Sequence, residues 1–583
     1  MVTLLCDDPS NAMTQRLTAI IDLLGVRHSE LAVSALDAAL EQSDTSMCLV
    51  SHADTLCRWW RGHGETNRAL RQLQDRCNTL FVFGFEPEKN CVALASALSG
   101  GNITQIKRFE AQQQNYEVAS SRPELTREFS GLSFGPICRD HDFGFVCKSE
   151  DQQSQIISIA GVPFFASIES AGSTKYLLAC NAVLDIDERT GTLGPDVTQC
   201  FSRLIPFAMF LKWRFGTQCW HNPNRCAAFI IDDPLLKESH GFLNYNDLLA
   251  LMDANNFSTT IAFIPWNYKR SRSAVALMFR QRADKFSLCI HGCDHSQAEF
   301  ATSNVGDLNY KVRLATSRMD VHRKTTGVRH AQALVFPRGE FSPEALEVLQ
   351  ANDYLAAVNT RAINTVGRGR NLRVRDFLDV AITSYAGVSL FLRRYPGPLE
   401  RFAWDLFWGK PVLAVEHHSY LRDGGSSLSS FIGRLNSLGD LQWSGLDDVL
   451  KKSYTQRTTS SSAAVCRLYS NTQLIHNDSA YQRLFTATNH RSEDMPVANV
   501  LVNGQPIDYT IVGDCLRMEF SIPSFSTAEV EILHRNTLPC TEPEHRLRAA
   551  SKTFARRMLS ELRDNLARVA TSLSSMRVGA VRD

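Results

Sequence analysis

The sequence predicts an α/β protein whose central part is a parallel (β/α) barrel, with an N-terminal α/β domain before it and a small β-sandwich plus a helical tail after it. Three observations carry this. Between Cys226 and Val415, short apolar runs alternate with helix-like stretches, the pattern of parallel strands joined by helical crossovers. Polar clusters stand at the ends of successive apolar runs, where parallel barrels gather their functional groups. Beyond residue 463 the runs become short and β-like, with turn signals between them. A chain of 583 residues is also too long for one core, and suggests about three or four domains.

Residues 1–215 read as the N-terminal α/β domain, without catalytic residues of its own. Val2 to Cys6 reads as a strand, Asn11 to Leu24 as an amphipathic helix, and Ser46 to Val50 and Thr79 to Phe85 as further strands. No glycine-rich phosphate loop follows the first strand. From about residue 102 to 190 the runs shorten, as in Ile156 to Ile159, Pro163 to Ile168 and Tyr176 to Leu184.

Residues 216–453 read as the barrel. Its strands are Ala227 to Ile230, Phe257 to Pro265, Leu288 to Ile290, Ala333 to Phe336, Leu355 to Val358 and Pro411 to Val415, with helices such as Asn246 to Asn255 and Pro343 to Ala351 between them. Asp232-Asp233 closes the first run, and adjacent carboxylates at the end of a buried strand are costly unless a cation neutralises them. His291-Gly292-Cys293-Asp294-His295 closes another. Histidines at i and i+4 share one helical face and can grip a single ion. Asp, His and His together leave a zinc-like ion an open position, as catalytic sites do.

These motifs resemble those of the polysaccharide deacetylase superfamily, the NodB-homology carbohydrate esterases, over roughly residues 225 to 425. That family's motifs run in the order Asp-Asp, His-x-x-x-His, an Arg/Pro/Gly loop, an Asp-bearing segment and a strand ending in Leu-x-His. This chain offers Asp232-Asp233, His291 to His295, Phe336-Pro337-Arg338-Gly339, Asp376-Phe377-Leu378-Asp379 and Val415-Glu416-His417-His418 in that order. It departs in three places. No Gly follows the aspartates, Arg338 follows Pro337 instead of preceding it, and the last motif holds two histidines.

The resemblance implies a distorted barrel of about seven strands. It implies a metal-dependent hydrolase that removes N-acetyl groups from an amino sugar, a glycan or a glycan precursor, in a divergent branch linked to exopolysaccharide metabolism. It assigns Asp233, His291 and His295 to one divalent ion, with zinc expected, and Asp232 to the catalytic base. His417 is the expected acid for the leaving amine, and a bulge would exchange its role with His418. Arg338 is expected to orient Asp232, while Asp376 or Asp379 would hold a protonated partner. Trp266, Asn267 and His418 are the expected substrate contacts. Arg393 and Arg394 read as a solvated pair, with recognition of a substrate anion as the alternative. Two other functions remain open: a glycoside hydrolase with paired carboxylates, and a non-catalytic scaffold for polysaccharide assembly.

Charge is balanced, 62 Lys+Arg against 61 Asp+Glu, which gives no footing for nucleic acid. No run has the length and apolarity of a transmembrane helix. The first residues show neither a basic n-region nor an apolar h-region, so the 16 cysteines read as reduced thiols and the expected location is cytoplasmic. Tyr454 to Ser462 reads as a Thr/Ser-rich linker, residues 463–540 as the β-sandwich with a hairpin turn at Asn503-Gly504, and 541–583 as an amphipathic helix. In that tail Ala555, Leu559, Leu562, Leu566, Val569, Leu573 and Met576 keep a/d spacing. The readings of this seam are packing on the chain's own domain, a homo-oligomer, or a partner helix.

Overall fold

The computed structural model describes residues 1–42, 47–110, 114–149, 155–170, 172–190, 200–296, 298–367, 371–385, 387–490, 495–542, 551–564 and 566. At its centre eight parallel strands form one curled sheet, seven in a row and the short Gln442–Trp443 paired alongside Cys226–Asp232. Its spatial order is Leu390–Leu392, Ala356–Asn359, Ala333–Val335, Phe286–His291, Thr259–Phe263, Cys226–Asp232, Val412–His417. A single parallel bridge between Arg394 and Ala414 joins the two ends of the curl.

The two faces of this sheet are built differently. One is covered by helices, and there Phe229, Ile231, Ile261, Phe263 and Leu288 pack against Leu248, Met252, Phe279, Val312 and Phe431. The other buries smaller side chains, among them Ala228, Ile230, Ala262, Cys289, Val335, Phe391 and Val415, together with Leu446, Val449 and Leu450. Strand side chains alternate faces with period two. Asp232, His291, Arg393 and His417, each two residues beyond Ile230, Cys289, Phe391 and Val415, therefore continue onto the inner face. Because the strands are parallel, all four stand at the same rim.

The N-terminal domain carries a nine-stranded mixed sheet. His28–Ala32, Val2–Cys6, Met47–His52, Cys77–Phe83 and Ser173–Leu178 run parallel in that order, and antiparallel strands extend the far side. Its core does not stop at its boundary: Ala403, Trp404, Phe407 and Trp408, from the barrel helix Leu399–Phe407 and just beyond, belong to the same buried cluster as Phe129 and Phe201. The rings of Phe129 and Phe407 are 4.7 Å apart.

At the other end, a five-stranded and a four-stranded sheet enclose one core of Cys466, Ile475, Phe485, Val500, Met518 and Val530. The stretch read as a linker is a strand, Tyr454–Ser460, paired antiparallel with Ala463–Leu468. Its threonines are β-branched and suit a half-buried pleat, a preference that the Thr/Ser composition masked.

The described tail, residues 551–564 and 566, is helical. Leu559, Leu562 and Leu566 of the predicted seam are exposed, whereas Arg557 and Glu561 on the other side meet the barrel. The seam is thus not the face by which this helix packs on its own chain. Val569, Leu573 and Met576 lie outside the described residues. No helix among the described residues is long and apolar enough to cross a membrane, and all 16 cysteines are free thiols.

Candidate metal centre

Asp233, His291 and His295 converge at the barrel rim. Asp233 Oδ1 lies 3.5 Å from His291 Nε2 and 3.2 Å from His295 Nε2. The three donor atoms fall within 4.8 Å of one another. His291 ends its strand and is 2 % exposed, and its Nδ1 faces the Val335 carbonyl at 3.0 Å. That contact places the ring proton on Nδ1 and leaves Nε2 as a free lone pair, as a metal-binding imidazole requires. Asp233 Oδ1 is buried without a hydrogen-bond partner among the described residues. An orphaned carboxylate oxygen facing two imidazole nitrogens fits a divalent ion. Burial holds His295 down to about 4, against the pull of Asp233, so it is neutral at pH 7. Burial would raise Asp233, but His295 and His291 more than offset it and the carboxylate stays ionised.

The two histidines do not share a helix face. His291 ends a strand and the chain then turns through a loop, with Gly292 at φ 63° and His295 at φ 53°. The loop is wound round Glu299, which is 3 % exposed. Its carboxylate accepts from the backbone N–H groups of Cys293 (2.9 Å), Asp294 (3.1 Å), His295 (3.1 Å) and Ser296 (3.2 Å), and from the Ser296 hydroxyl. Four N–H groups on one anion form a nest that fixes His295. Sequence reasoning missed Glu299, since a carboxylate four residues past a ligand carries no signal until the loop closes on it.

Asp232 is 3 % exposed and is gripped at both oxygens by Arg393, Nη1 to Oδ1 and Nη2 to Oδ2, each at 2.6 Å. Burial would raise this carboxyl, yet Arg393 and His291 hold it below its ordinary value. Arg393 therefore does what was expected of Arg338. Arg338, in a left-handed turn at φ 58°, lines the rim cavity instead and makes no ion pair with Asp232. Nor are the two arginines a solvated pair, since Arg394 is bound bidentately by Asp405. The missed signal was parity: Arg393 lies two residues beyond the buried Phe391, just past a three-residue strand too short to read.

His417 is register partner to Asp232 on the neighbouring strand and lines the rim beside Asp233. His418 begins the following turn, its ring 5.3 Å from that of His240. Asn267 is fully buried in the rim cavity, accepting from Arg270 at 3.2 Å. Trp266 packs toward Phe554 of the tail, ring centroids 6.0 Å apart. Neither aspartate of the fourth motif reaches a rim histidine. Asp376 accepts from Arg373 N and Ser384, and Asp379 accepts from Tyr469, which ties the barrel to the C-terminal sheets.

Part of the chain, about 40% of it, is matched by solved structures of family 4 carbohydrate esterases and deacetylases. A family 4 carbohydrate esterase from Bacillus anthracis matches at 16% identity, over 40% of this chain and 84% of its own, with a TM-score of 0.25. A peptidoglycan deacetylase from Bacillus subtilis matches at 12%, over 40% and 92%, with a TM-score of 0.24. A pseudoenzyme of the same family, also from Bacillus anthracis, matches at 11%, over 40% and 67%, with a TM-score of 0.25. No protein-family model matches the sequence, and no curated protein matches it.

The tail helix lies across the rim. Arg556 donates to the carbonyls of Asp294 and His295, and Glu561 pairs with Lys237 and Arg270. Arg557 is largely desolvated and shares a cavity of about 150 Å³ with Asp233, His295 and Asn267.

Proposed function

We propose that this chain is a metal-dependent N-deacetylase acting on an N-acetylated amino sugar or glycan. The observation that carries the reading is the convergence of Asp233, His291 and His295 beside an ionised Asp232 locked by Arg393, with His417 on the adjoining strand end. A divalent ion held by the Asp/His/His set would supply Lewis acidity toward an acyl oxygen and make water more acidic. Asp232 takes the proton of the attacking water, for which Arg393 keeps it charged and aligned. His417 delivers a proton to the departing amine. Trp266, Asn267 and His418 supply an aromatic face and polar groups for a pyranose ring. The glycosidase alternative is the weaker one, because it needs two carboxylates facing a sugar and gives the Asp233, His291 and His295 group no role.

The test is acetate release from N-acetylglucosamine oligomers, together with zinc content, on protein stripped by chelator and reloaded. Wild type binds the ion and releases acetate. Asp233→Ala and His291→Ala lose the ion at this site, whereas Asp232→Asn keeps it and turns over roughly 10²–10⁴-fold more slowly. Full zinc binding in Asp233→Ala would sink the assignment of the ligands.

A further inference from the structure

The rim carries a second group of ligand-type side chains that the deacetylase reading leaves without a common role. His240 comes from the short hairpin of Ser239–His240 and Leu243–Asn244, His418 from the turn after the last barrel strand, and Asp564 from the tail helix. Their donor atoms lie within 4.8 Å of one another. The rings of His240 and His418 meet edge to face, and His418 Nε2 stands 3.9 Å from Asp564 Oδ2. That distance is too long for a hydrogen bond. His240 is 4 % exposed, and its Nε2, like His418 Nδ1, is buried without a hydrogen-bond partner among the described residues. Buried imidazoles normally find partners. Gly241 makes room for this packing: at φ +54° it leaves open the place where a Cβ would stand 2.4 Å from His418 Nδ1.

We propose that His240, His418 and Asp564 form a second divalent-cation site that fastens the tail helix across the mouth of the Asp233 centre. Two imidazoles and one carboxylate suit zinc-type ions. Drawing the three donors in to the roughly 3.3 Å separation of tetrahedral ligands needs only small side-chain movements. Two ligands belong to the barrel rim and the third to the tail, so the full set exists only while the helix is docked. An ion that binds the docked state alone stabilises it by mass action. The consequence is access. Under the docked helix the cavity between it and Asp233 is about 150 Å³, below the range of about 300–1,000 Å³ in which pockets enclose ligands, while a second cavity of about 480 Å³ still reaches Asp233 beside His417 and His418. A bound ion would therefore hold the helix over one side of the centre, and its removal would release the helix and widen access. The proposal shares His418 with the substrate contacts named above, but its geometry and its test do not depend on the deacetylase reading.

The experiment is a zinc titration of the full-length chain after chelator stripping, read by elemental analysis, with trypsin cleavage after Arg556 and Arg557 as the readout of tail docking. Wild type is expected to bind two zinc ions. Asp564→Asn and Asp233→Asn should each bind one, and the double variant none. In Asp233→Asn, zinc should still slow tail cleavage tenfold or more, and in Asp564→Asn it should not. Unchanged stoichiometry in Asp564→Asn, or tail cleavage indifferent to zinc in Asp233→Asn, would overturn the clamp. Loss of the Asp233-dependent ion alone would instead overturn the proposed catalytic centre and leave the clamp standing.

Discussion

Along the seam with the N-terminal domain, the barrel contributes Trp404, Phe407 and Trp408 to a core that also holds Phe129 and Phe201. Across the rim, the tail helix meets the same barrel through Arg556, Arg557, Glu561 and Asp564, and leaves Leu559, Leu562 and Leu566 exposed. The first contact rests mainly on buried apolar packing that joins two cores into one, with ion pairs such as Arg225–Glu128 and Arg375–Asp187 beside it. The second is made of ion pairs and single hydrogen bonds, each of modest net strength and each open to salt, protons and competing ions. One cover rests on buried apolar area, the other on polar contacts at the rim. Even the buried cation of the first seam is sealed in. Lys212 donates to the Phe407 carbonyl and lies 4.5 Å over the Phe407 ring, and burial brings it down to about 8.

The largest effect tests the apolar seam. Trp404→Ala should cost about 3–5 kcal/mol in chemical denaturation, because a fully buried indole leaves a cavity shared by both domains. If the two domains then unfold in separate transitions while the wild type shows one, the shared core is what joins them. A cost below about 1 kcal/mol would break the comparison.

Next comes the loop where the two covers meet, held from inside by Glu299 and from outside by Arg556. Glu299→Ala removes the acceptor of four backbone N–H groups, and should weaken zinc binding at the Asp233 centre roughly 10–100-fold by isothermal titration. Arg556→Ala should change that affinity far less, since the loop's inner support remains. Equal effects would mean that the tail is part of the centre's framework.

A smaller effect separates tail docking from global stability. Glu561→Gln should shift the denaturation midpoint by less than about 1 kcal/mol, yet lower hydrogen-exchange protection of residues 551–564 by about tenfold. Raising the ionic strength should reproduce this loss in the wild type and leave the Trp404 seam unaffected.

The smallest effect is one of pH. Hydrogen bonds from Lys237 and Arg270 outweigh the burial of Glu561 and hold its carboxyl below the ordinary value. A pKa lowered on docking contributes stability that is fully present above the undocked value, near 4.5, and is lost as pH falls through the docked one. Protection of the helix, corrected for intrinsic exchange rates, should therefore decline below about pH 4.5 before the core unfolds. Protection that declines only on raising the pH from 5 to 7 would contradict the Glu561 contact.

Much of the centre was legible because strand periodicity and motif order are local properties. Ile230 to Asp233, Cys289 to His291 and Val415 to His417 announce inward-facing polar groups at strand ends, and the five motifs stand in one order along the chain. The reading failed where the contact partner is remote or the element short. Arg393 reaches Asp232 across 161 residues of sequence from just past a three-residue strand. Asp379 turned out to hold a tyrosine of the next domain. The tail's heptad spacing was visible, but which side of the helix would face the barrel was not.

The sequence alone thus pointed to the parallel alternation of the barrel through its periodicity, and to Asp232, Asp233, His291, His295 and His417 through motif order and strand-end position, although the shared helix face expected of the two histidines did not hold. Only the tertiary structure decided that Arg393 rather than Arg338 clamps Asp232, that Glu299 shapes the His295 loop, and that a charged helix lies over the rim. Each of these depends on through-space pairing of groups far apart in the chain, where geometry and desolvation, not local pattern, select the partner.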